Sequence, residues 1–187
     1  LSVCDYNLEK MGTTKSKARH NLLAEVCMAA KYEAQSLINY RAQYETKYGD
    51  FGSTICTVLA RSFADIGDIV RGKDLYLSYD KKEKEQRDKL EENLKKIFKK
   101  IYDKLTHDAQ THYKKDDKGS ENYYQLREDW WEANRETVWK AITCNAGGSQ
   151  YFRATCGKNN TWTGEDCRCP NGDQVPTYFD YVPQYLR

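Results

Sequence analysis

Proline is scarce in this sequence, with 3 residues among 187, and long stretches without proline favour helices. No apolar run reaches the roughly 18 residues that a membrane-spanning helix needs, and the start of the chain lacks the pattern of a signal peptide. The formal net charge is only +2, so there is no overall signal for nucleic-acid binding. These absences favour a helical domain and argue against a membrane span or a nucleic-acid partner.

Cysteine, by contrast, is frequent, and its number is odd. A high cysteine content predicts the disulfide framework of an extracellular protein, whereas the alternative is a cytosolic protein with scattered buried thiols. Because a bridge within a C-x-C motif would close a strained ring, Cys167 and Cys169 should take different partners. We expect disulfides of unknown pairing, with one partner outside the chain, at all seven positions: Cys4, Cys27, Cys56, Cys144, Cys156, Cys167 and Cys169.

A zinc site is the other chemistry that these cysteines could support. The chain has no C-x-x-C motif, however, and His107 and His112 are too widely spaced to share a helix face as an i,i+4 metal pair does. Neither a glycine-rich phosphate loop nor a nucleophile motif is present. The sequence therefore predicts no metal, no cofactor and no enzyme activity.

Apolar residues recur at helical spacing over four segments, at about 14–48, 53–71, 83–112 and 120–143. Ser53 is a candidate N-cap and Gly72 a candidate C-cap of the second helix. Gly67 lies beside the apolar stripe of that helix, where a missing side chain allows another helix to approach closely. After residue 143, glycine, asparagine, proline and cysteine predict loops held by disulfides. The predicted fold class is mainly α, a helical bundle with a Cys-rich, loop-dominated C-terminal segment.

Each predicted helix has an apolar face, and the face of the fourth helix is the broadest. Its breadth predicts a central helix, and Arg127 and Asn134 fall inside the apolar arc, where a buried hydrogen-bond network is expected. The tryptophans of this helix are interpreted as core, with a ligand box as the alternative. The predicted faces comprise Leu22, Val26, Ala29, Ala30, Leu37, Tyr40 and Tyr44, then Ile55, Leu59, Phe63, Ile66 and Val70, then Leu90, Leu94, Ile97, Phe98, Ile101 and Leu105, then Tyr123, Leu126, Trp130, Trp131, Val138 and Ile142.

Two aspartates within the stretch "LARSFADIGDIVRG" (59–72) raise the question of a catalytic or metal-binding pair. Both lie opposite the apolar stripe of the second helix. Asp65 is four residues from Arg61 and Asp68 is three residues from Arg71, so each has a local cationic partner that would keep it ionised. The arrangement predicts a scaffold role and not acid–base catalysis.

A mild basic patch covers residues 81–118, where thirteen Lys and Arg outnumber nine Asp and Glu. Such a face could bind a sulfated glycan, whereas the alternative is an ordinary solvated helix face that Glu91 and Glu92 partly neutralise through i,i+4 pairs. The candidate glycan-binding residues are Lys95, Lys96, Lys99, Lys100, Lys114, Lys115 and Lys118. Asn159-Asn160-Thr161 forms an N-glycosylation sequon, a pattern that also arises by chance.

Five ordered blocks resemble the Duffy-binding-like domain, and most closely its alpha class in the Plasmodium falciparum erythrocyte membrane protein family. These blocks are "CDYNLE" (4–9), "NLLAEVCMAAKYEA" (21–34), "ARSFADIGDIVRG" (60–72), "REDWWEANRETVWKAITC" (127–144) and "VPTYFDYVPQYLR" (175–187). The resemblance implies a cysteine-rich helical adhesion module. It also implies that the chain is the central part of one domain: 1–13 end a preceding loop-rich subdomain, 14–143 form the bundle, and 144–187 form a Cys-rich segment that continues beyond the fragment.

The same resemblance implies a function on the infected red cell. Such domains bind host surface molecules from the extracellular face of the infected erythrocyte membrane, as part of a larger membrane-anchored protein. The implied partners are a host receptor or glycan, such as a heparan-sulfate-like chain, a blood-group sugar or complement receptor one, and the neighbouring domains of the same polypeptide. The alternative is a structural spacer that positions a neighbouring adhesion domain.

Overall fold

The computed structural model describes residues 17–49, 54–75, 81–116, 120–172 and 174–187. Within these ranges the chain is mainly helical, as predicted, and two 3₁₀ turns follow the last helix, at Phe179–Tyr181 and Gln184–Leu186. The five α-helices of the described residues are α1 (Lys17–Tyr48), α2 (Ile55–Arg71), α3 (Lys81–Tyr102), α4 (His107–Asp116) and α5 (Tyr124–Ile142).

The predicted third helix is in fact two helices, so the prediction of one continuous helix over 83–112 is wrong. α3 ends at Tyr102, and α4 begins at His107 after a short turn. Thr106 explains the break, because its hydroxyl accepts a hydrogen bond from Ala109 N as the N-cap of a new helix. Gln110 then fixes the corner by donating from its amide to the Tyr102 carbonyl oxygen.

The two ends of α2 follow local signals. Thr54 is the N-cap, accepting a hydrogen bond from Thr57 N, whereas the predicted cap Ser53 lies outside the described residues. Gly72 ends the helix, as predicted, and its backbone lies in the left-handed region at φ 72°. Its N–H donates a hydrogen bond to the Ile69 carbonyl oxygen.

α5 is the central helix and contacts each of the other four, as its broad apolar face predicts. Trp131 and Trp139 are almost completely buried and pack against Phe63 of α2, with ring centroids 5.1 and 5.2 Å away. α2 approaches this closely because Gly67 has no side chain, and a Cβ there would lie 2.8 Å from the Trp131 ring. The core interpretation of Trp130, Trp131 and Trp139 is therefore confirmed.

α1 buries only part of the predicted face: Leu22, Val26 and Ala30 are buried and Leu37 is partly buried, as predicted. Its buried positions run in steps of four from Leu22 to Ala34, and each step rotates the strip by about 40°. Ala29 and Tyr40 fall off this rotated strip and are exposed, so their predicted burial is wrong. In α3, Leu94 and Ile101 are buried and Ile97 is partly buried against the core, whereas Leu90 is exposed.

Two disulfides between described residues hold the segment after α5. Cys56–Cys167 ties this segment to the first turn of α2, and Cys156–Cys169 closes a loop within it, so the two cysteines of the C-x-C motif take different partners. Cys27 has no bridge to any described cysteine, and burial raises the pKa of its thiol to about 11. Cys4 lies outside the described residues, and the pairing of Cys144 stays a prediction.

Candidate functional site

Asp68 is buried, although the sequence places it opposite the apolar stripe of α2. Residues from the end of the chain cover that side of the helix, and Asp68 is only 4 % exposed. One carboxylate oxygen accepts a hydrogen bond of 3.0 Å from the predicted partner Arg71, and the other contacts the guanidinium of Arg187. The carboxylate therefore joins α2 to a segment 119 residues further along the chain.

Asp65 does not pair with Arg61, which corrects the predicted i,i+4 ion pair. Its cationic neighbour is Arg187, at 3.4 Å, and Arg61 is exposed to solvent. Burial raises the pKa of both aspartates, and the nearby Arg187 guanidinium offsets part of the effect. The raised pKa values thus have a structural cause, because the atoms packed around the carboxylates outweigh the arginine, although the Asp65 side chain is still 56 % exposed.

Two further buried arginines, both on α5, hold the bundle together. Arg135 donates to both carboxylate oxygens of Asp180 at 2.8 Å, and Trp131 donates its indole N–H to the same carboxylate at 2.9 Å. Asp180 and Arg135 were missed in the sequence reasoning. The signal that could have found Asp180 is a lone acid inside the aromatic run "YFDY".

Arg127 occupies the C-terminal end of α2, as part of the predicted buried network. It donates to the carbonyl oxygens of Val70 and Ile69, at 2.6 and 3.1 Å, at the end of the helix, where backbone N–H partners run out and where Ile69 accepts a second hydrogen bond from Gly72 N. Its other contacts are bidentate hydrogen bonds of 2.7 and 2.8 Å to Glu91 of α3. Asn134 is only half-buried and donates its amide to the Trp130 carbonyl.

The candidate lysines of α3 form an outward-facing surface, which we call the α3 lysine face: Lys95, Lys96, Lys99 and Lys100. Lys95 is half-buried, and the other three are exposed. Among the described residues, no carboxylate lies within 4.0 Å of any of the four ammonium groups. Lys114 is exposed on α4, whereas the side chain of Lys115 and all of Lys118 lie outside the described part of the chain.

Glu91 does not neutralise the lysine face, contrary to the prediction. Its carboxylate turns toward the core and pairs with Arg127, so it is unavailable to Lys95. Lys89 lies 7 and 11 residues before Lys96 and Lys100, spacings that place all three on one side of α3, and it is also exposed. The structure therefore extends the basic surface toward the start of the helix, a feature that the i,i+7 spacing could have revealed.

An acidic groove lies on the other flank of α3. It has a volume of about 560 Å³ between the end of α2, the first half of α3 and the start of α5, with Ile69 and Leu94 among its apolar lining residues. Its charged residues are four acids, Asp74, Glu83, Asp88 and Glu91, and two cations, Arg87 and Lys95. Asp74 is paired with Arg87 and Glu91 with Arg127, and Lys95 lines the groove as well as belonging to the α3 lysine face. The outward side of α3, with its exposed lysines, therefore suits a polyanion better than the groove does.

The sequence profile of the Duffy binding domain matches the whole chain, residues 1–187. The chain belongs to the Duffy binding domain family. This confirms the resemblance of its sequence blocks and the mainly helical fold expected for them. Comparison with curated protein sequences gave no match.

Solved structures of Duffy binding domains are similar along nearly the whole chain. The NTS-DBL1(alpha-1) domain of PfEMP1 from the varO strain of Plasmodium falciparum is 43% identical, with a TM-score of 0.69, and the match covers 98% of this chain and 39% of that one. A PfEMP1 DBLbeta domain, IT4var13, solved bound to ICAM-1, is 32% identical with a TM-score of 0.63, and the match covers 98% and 38%. The chain therefore spans about two fifths of the length of these relatives.

No helix in the described parts of the chain is long and apolar enough to cross a membrane. The described residues also contain no group of three or more His, Cys, Asp or Glu side chains placed to hold a metal ion.

Proposed function

We propose that this chain is part of a host-receptor adhesion domain, displayed on the extracellular face of infected erythrocytes, and that its α3 lysine face binds a sulfated glycan. Family membership supports the adhesive role, since a relative was solved bound to the host protein ICAM-1. The observation that carries the glycan assignment is the set of four lysines without a carboxylate partner among the described residues.

The geometry of α3 suits a linear polyanion. From Lys89 to Lys100 the helix rises about 16 Å, which gives an extended row of cations and no deep pocket. Ammonium groups act as point charges without strict directional demands, so they tolerate irregular sulfation. Each exposed contact is weak, and several must act together. Binding should also weaken with salt, because screening at 0.15 M ionic strength acts over about 8 Å.

Heparin affinity chromatography tests this assignment. The variant Lys95/Lys96/Lys99/Lys100→Ala should elute at clearly lower salt than the wild-type chain, with its helix content unchanged by circular dichroism. The matched control removes four cations from other surfaces, in Lys47/Arg61/Arg153/Lys158→Ala, and should elute close to the wild type. Equal loss in both variants would mean that only net charge matters, and no loss in the first would favour a spacer role for this face.

A further inference from the structure

The acidic groove beside α3 is a concave surface that the glycan assignment leaves unused. Its volume of about 560 Å³ lies within the range of about 300–1,000 Å³ that is usual for ligand cavities in proteins. The part of α3 that lines the groove runs from Glu83 to Lys95, a rise of about 18 Å. An extended chain covers that length with about five residues, whereas a small organic cation would fill only part of it. The shape of the groove therefore suits a short peptide segment.

Bonds between side chains and neighbouring elements hold the walls of the groove in place. Arg127 of α5 donates to two carbonyl oxygens at the end of α2 and to the Glu91 carboxylate of α3. Arg87 of α3 contacts the carboxylate of Asp74, which follows α2 in the chain. Because these elements are tied together in the absence of a partner, little conformational entropy is lost when a partner binds.

Apolar side chains form the floor and part of the rim of the groove. Leu94 is 5 % exposed and Ile69 is partly buried, whereas Leu90 and Tyr124 are 45 and 48 % exposed. An apolar side chain of a partner would remove the exposed surfaces of Leu90 and Tyr124 from water, which is favourable. The groove therefore has a place for at least one apolar side chain.

The charges of the lining favour a cationic partner. Four carboxylates and two cations line the groove. Arg87 is shared between Asp74 and Glu83. Asp88 is exposed, and among the described residues no lysine, arginine or histidine nitrogen lies within 4.0 Å of its carboxylate. A cation beside Asp88 would be attracted, whereas Lys95 on the same lining opposes it.

We propose that this groove binds a peptide segment of a partner protein in which apolar residues are flanked by lysine or arginine. The apolar side chains pack on Leu90, Leu94 and Tyr124, and the cations lie beside Glu83 and Asp88. Lysine and arginine suit these positions, because their long stems pack along apolar surface while their charged ends stay in water. The proposal does not depend on the glycan assignment, since the groove and the α3 lysine face lie on different sides of the helix.

Fluorescence polarisation with labelled synthetic peptides measures this binding. The probes are Lys-Leu-Arg-Leu-Lys and Lys-Phe-Arg-Phe-Lys. One control peptide, Lys-Ser-Arg-Ser-Lys, lacks the apolar residues, and the other, Glu-Leu-Glu-Leu-Glu, has the opposite charge. At least one probe should bind the wild-type chain with half-saturation on the order of 0.1 mM, and both controls should bind more weakly. Added NaCl should weaken the binding, because it screens exposed charges.

Charge variants test the acids of the groove. Glu83→Gln/Asp88→Asn should raise the half-saturation about tenfold, since two exposed charge contacts are lost. Glu25→Gln/Glu165→Gln is the matched control, because it removes two exposed acids outside the groove, and it should bind as the wild type does. Circular dichroism checks that the helix content is the same in all variants.

A leucine variant tests the apolar part of the groove. Leu90→Ser should raise the half-saturation about fivefold, because less apolar surface is buried against the peptide. Leu186→Ser removes a more exposed leucine outside the groove and should change nothing.

Lys95 distinguishes this proposal from the glycan assignment, because it borders both surfaces. Lys95→Ala removes a cation that repels the peptide, so the half-saturation should fall about two- to fivefold, while elution from heparin should shift to lower salt. Lys96→Ala is the matched control for net charge, since Lys96 belongs to the lysine face and does not line the groove. It should weaken heparin binding and leave peptide binding unchanged.

Three outcomes would overturn the peptide site. The first is that neither probe binds the wild-type chain, and the second is that the two double acid variants lose equal affinity, so that only net charge matters. The third is that Leu90→Ser binds as tightly as Leu186→Ser, which would mean that the groove attracts any cation. Each of these results leaves heparin retention untouched, so a failure of this site is distinguishable from a failure of the lysine assignment.

Discussion

Single residues in the interior decide how closely the helices pack, and Gly67 shows this most directly. A Cβ at this position would lie 2.8 and 2.9 Å from two carbon atoms of the buried Trp131 ring, closer than real contacts allow. α2 or the indole would have to move, and movement in a packed core is costly. The glycine therefore fixes the distance between α2 and the central helix.

We predict that Gly67→Ala lowers the free energy of unfolding by about 1–3 kcal/mol, as overpacking of a core does. Denaturation by urea with the disulfides intact measures this. Gly147→Ala is the matched control, because a Cβ there meets nothing within 4 Å and the value should change little. Equal stability of the two variants would contradict the close helix contact.

Asp180 shows the difference between a buried and an exposed ion pair. Its side chain is fully buried between Arg135 and Trp131, so Asp180→Ala leaves the Arg135 guanidinium without its anion. We predict a loss of about 3–5 kcal/mol in the free energy of unfolding. Glu136→Ala breaks an exposed i,i+4 pair with Lys140 and should cost only about 0.3–0.5 kcal/mol. Urea unfolding of the two variants compares these losses. A small loss of unfolding free energy in Asp180→Ala would be evidence against the buried pair.

At the scale of the elements, two adjacent glutamates show how α3 is held against the bundle. Glu91 and Glu92 have the same chemistry and are neighbours in sequence, yet Glu91 pairs with the buried Arg127 while Glu92 is exposed. Arg127 in turn bonds two carbonyl groups at the end of α2. The Glu91 carboxylate therefore links α3, α5 and the C-terminus of α2.

We predict that Glu91→Ala lowers the free energy of unfolding by about 1–3 kcal/mol, because the buried guanidinium loses its bidentate partner. The figure is kept low because the Glu91 side chain is 35% exposed and solvent screens part of the interaction. Glu92→Ala should be within about 0.5 kcal/mol of the wild type, as ordinary surface changes are. Thermal or urea unfolding of both variants gives the comparison, and a reversed order would mean that Arg127 is held by the carbonyl groups alone.

Elements could be predicted from the sequence because their signals are local. Helical periodicity and the C-cap Gly72 gave the bounds of α2 to within a few residues, and the broad apolar arc identified α5 as central. The break between α3 and α4 was missed because the apolar stripe continues to Leu105, past the end of α3 at Tyr102, while the signal for the new helix is the single N-cap residue Thr106. The lysine face was also located from the sequence. The different roles of Glu91 and Glu92 could not be predicted, because they depend on which side of α3 packs against α5.

At the scale of the whole molecule, the Cys56–Cys167 disulfide joins the C-terminal segment to the bundle across 111 residues of sequence. Long closed loops restrict the unfolded chain most, and the chain-entropy account gives about 4–5 kcal/mol for a loop of about 100 residues. We predict that Cys56→Ala/Cys167→Ala destabilises the folded chain by about that amount. Cys156→Ala/Cys169→Ala opens a loop of 13 residues and should cost less, about 3 kcal/mol. Urea unfolding under non-reducing conditions compares them, and a larger effect of the shorter bridge would contradict this order.

The sequence by itself determined the helical class, the central position of α5 and the family, because these depend on periodicity and ordered motifs, whereas the disulfide pairing came from the tertiary structure. Only the tertiary structure decided that Asp68 is buried, that Arg187 and not Arg61 is the partner of Asp65, and that Glu91 turns away from the lysines. The physical reason is the same in each case. A charge on a helix is paired by whatever packs against it, and here those groups come from 36 to 122 residues away in sequence, where periodicity carries no information.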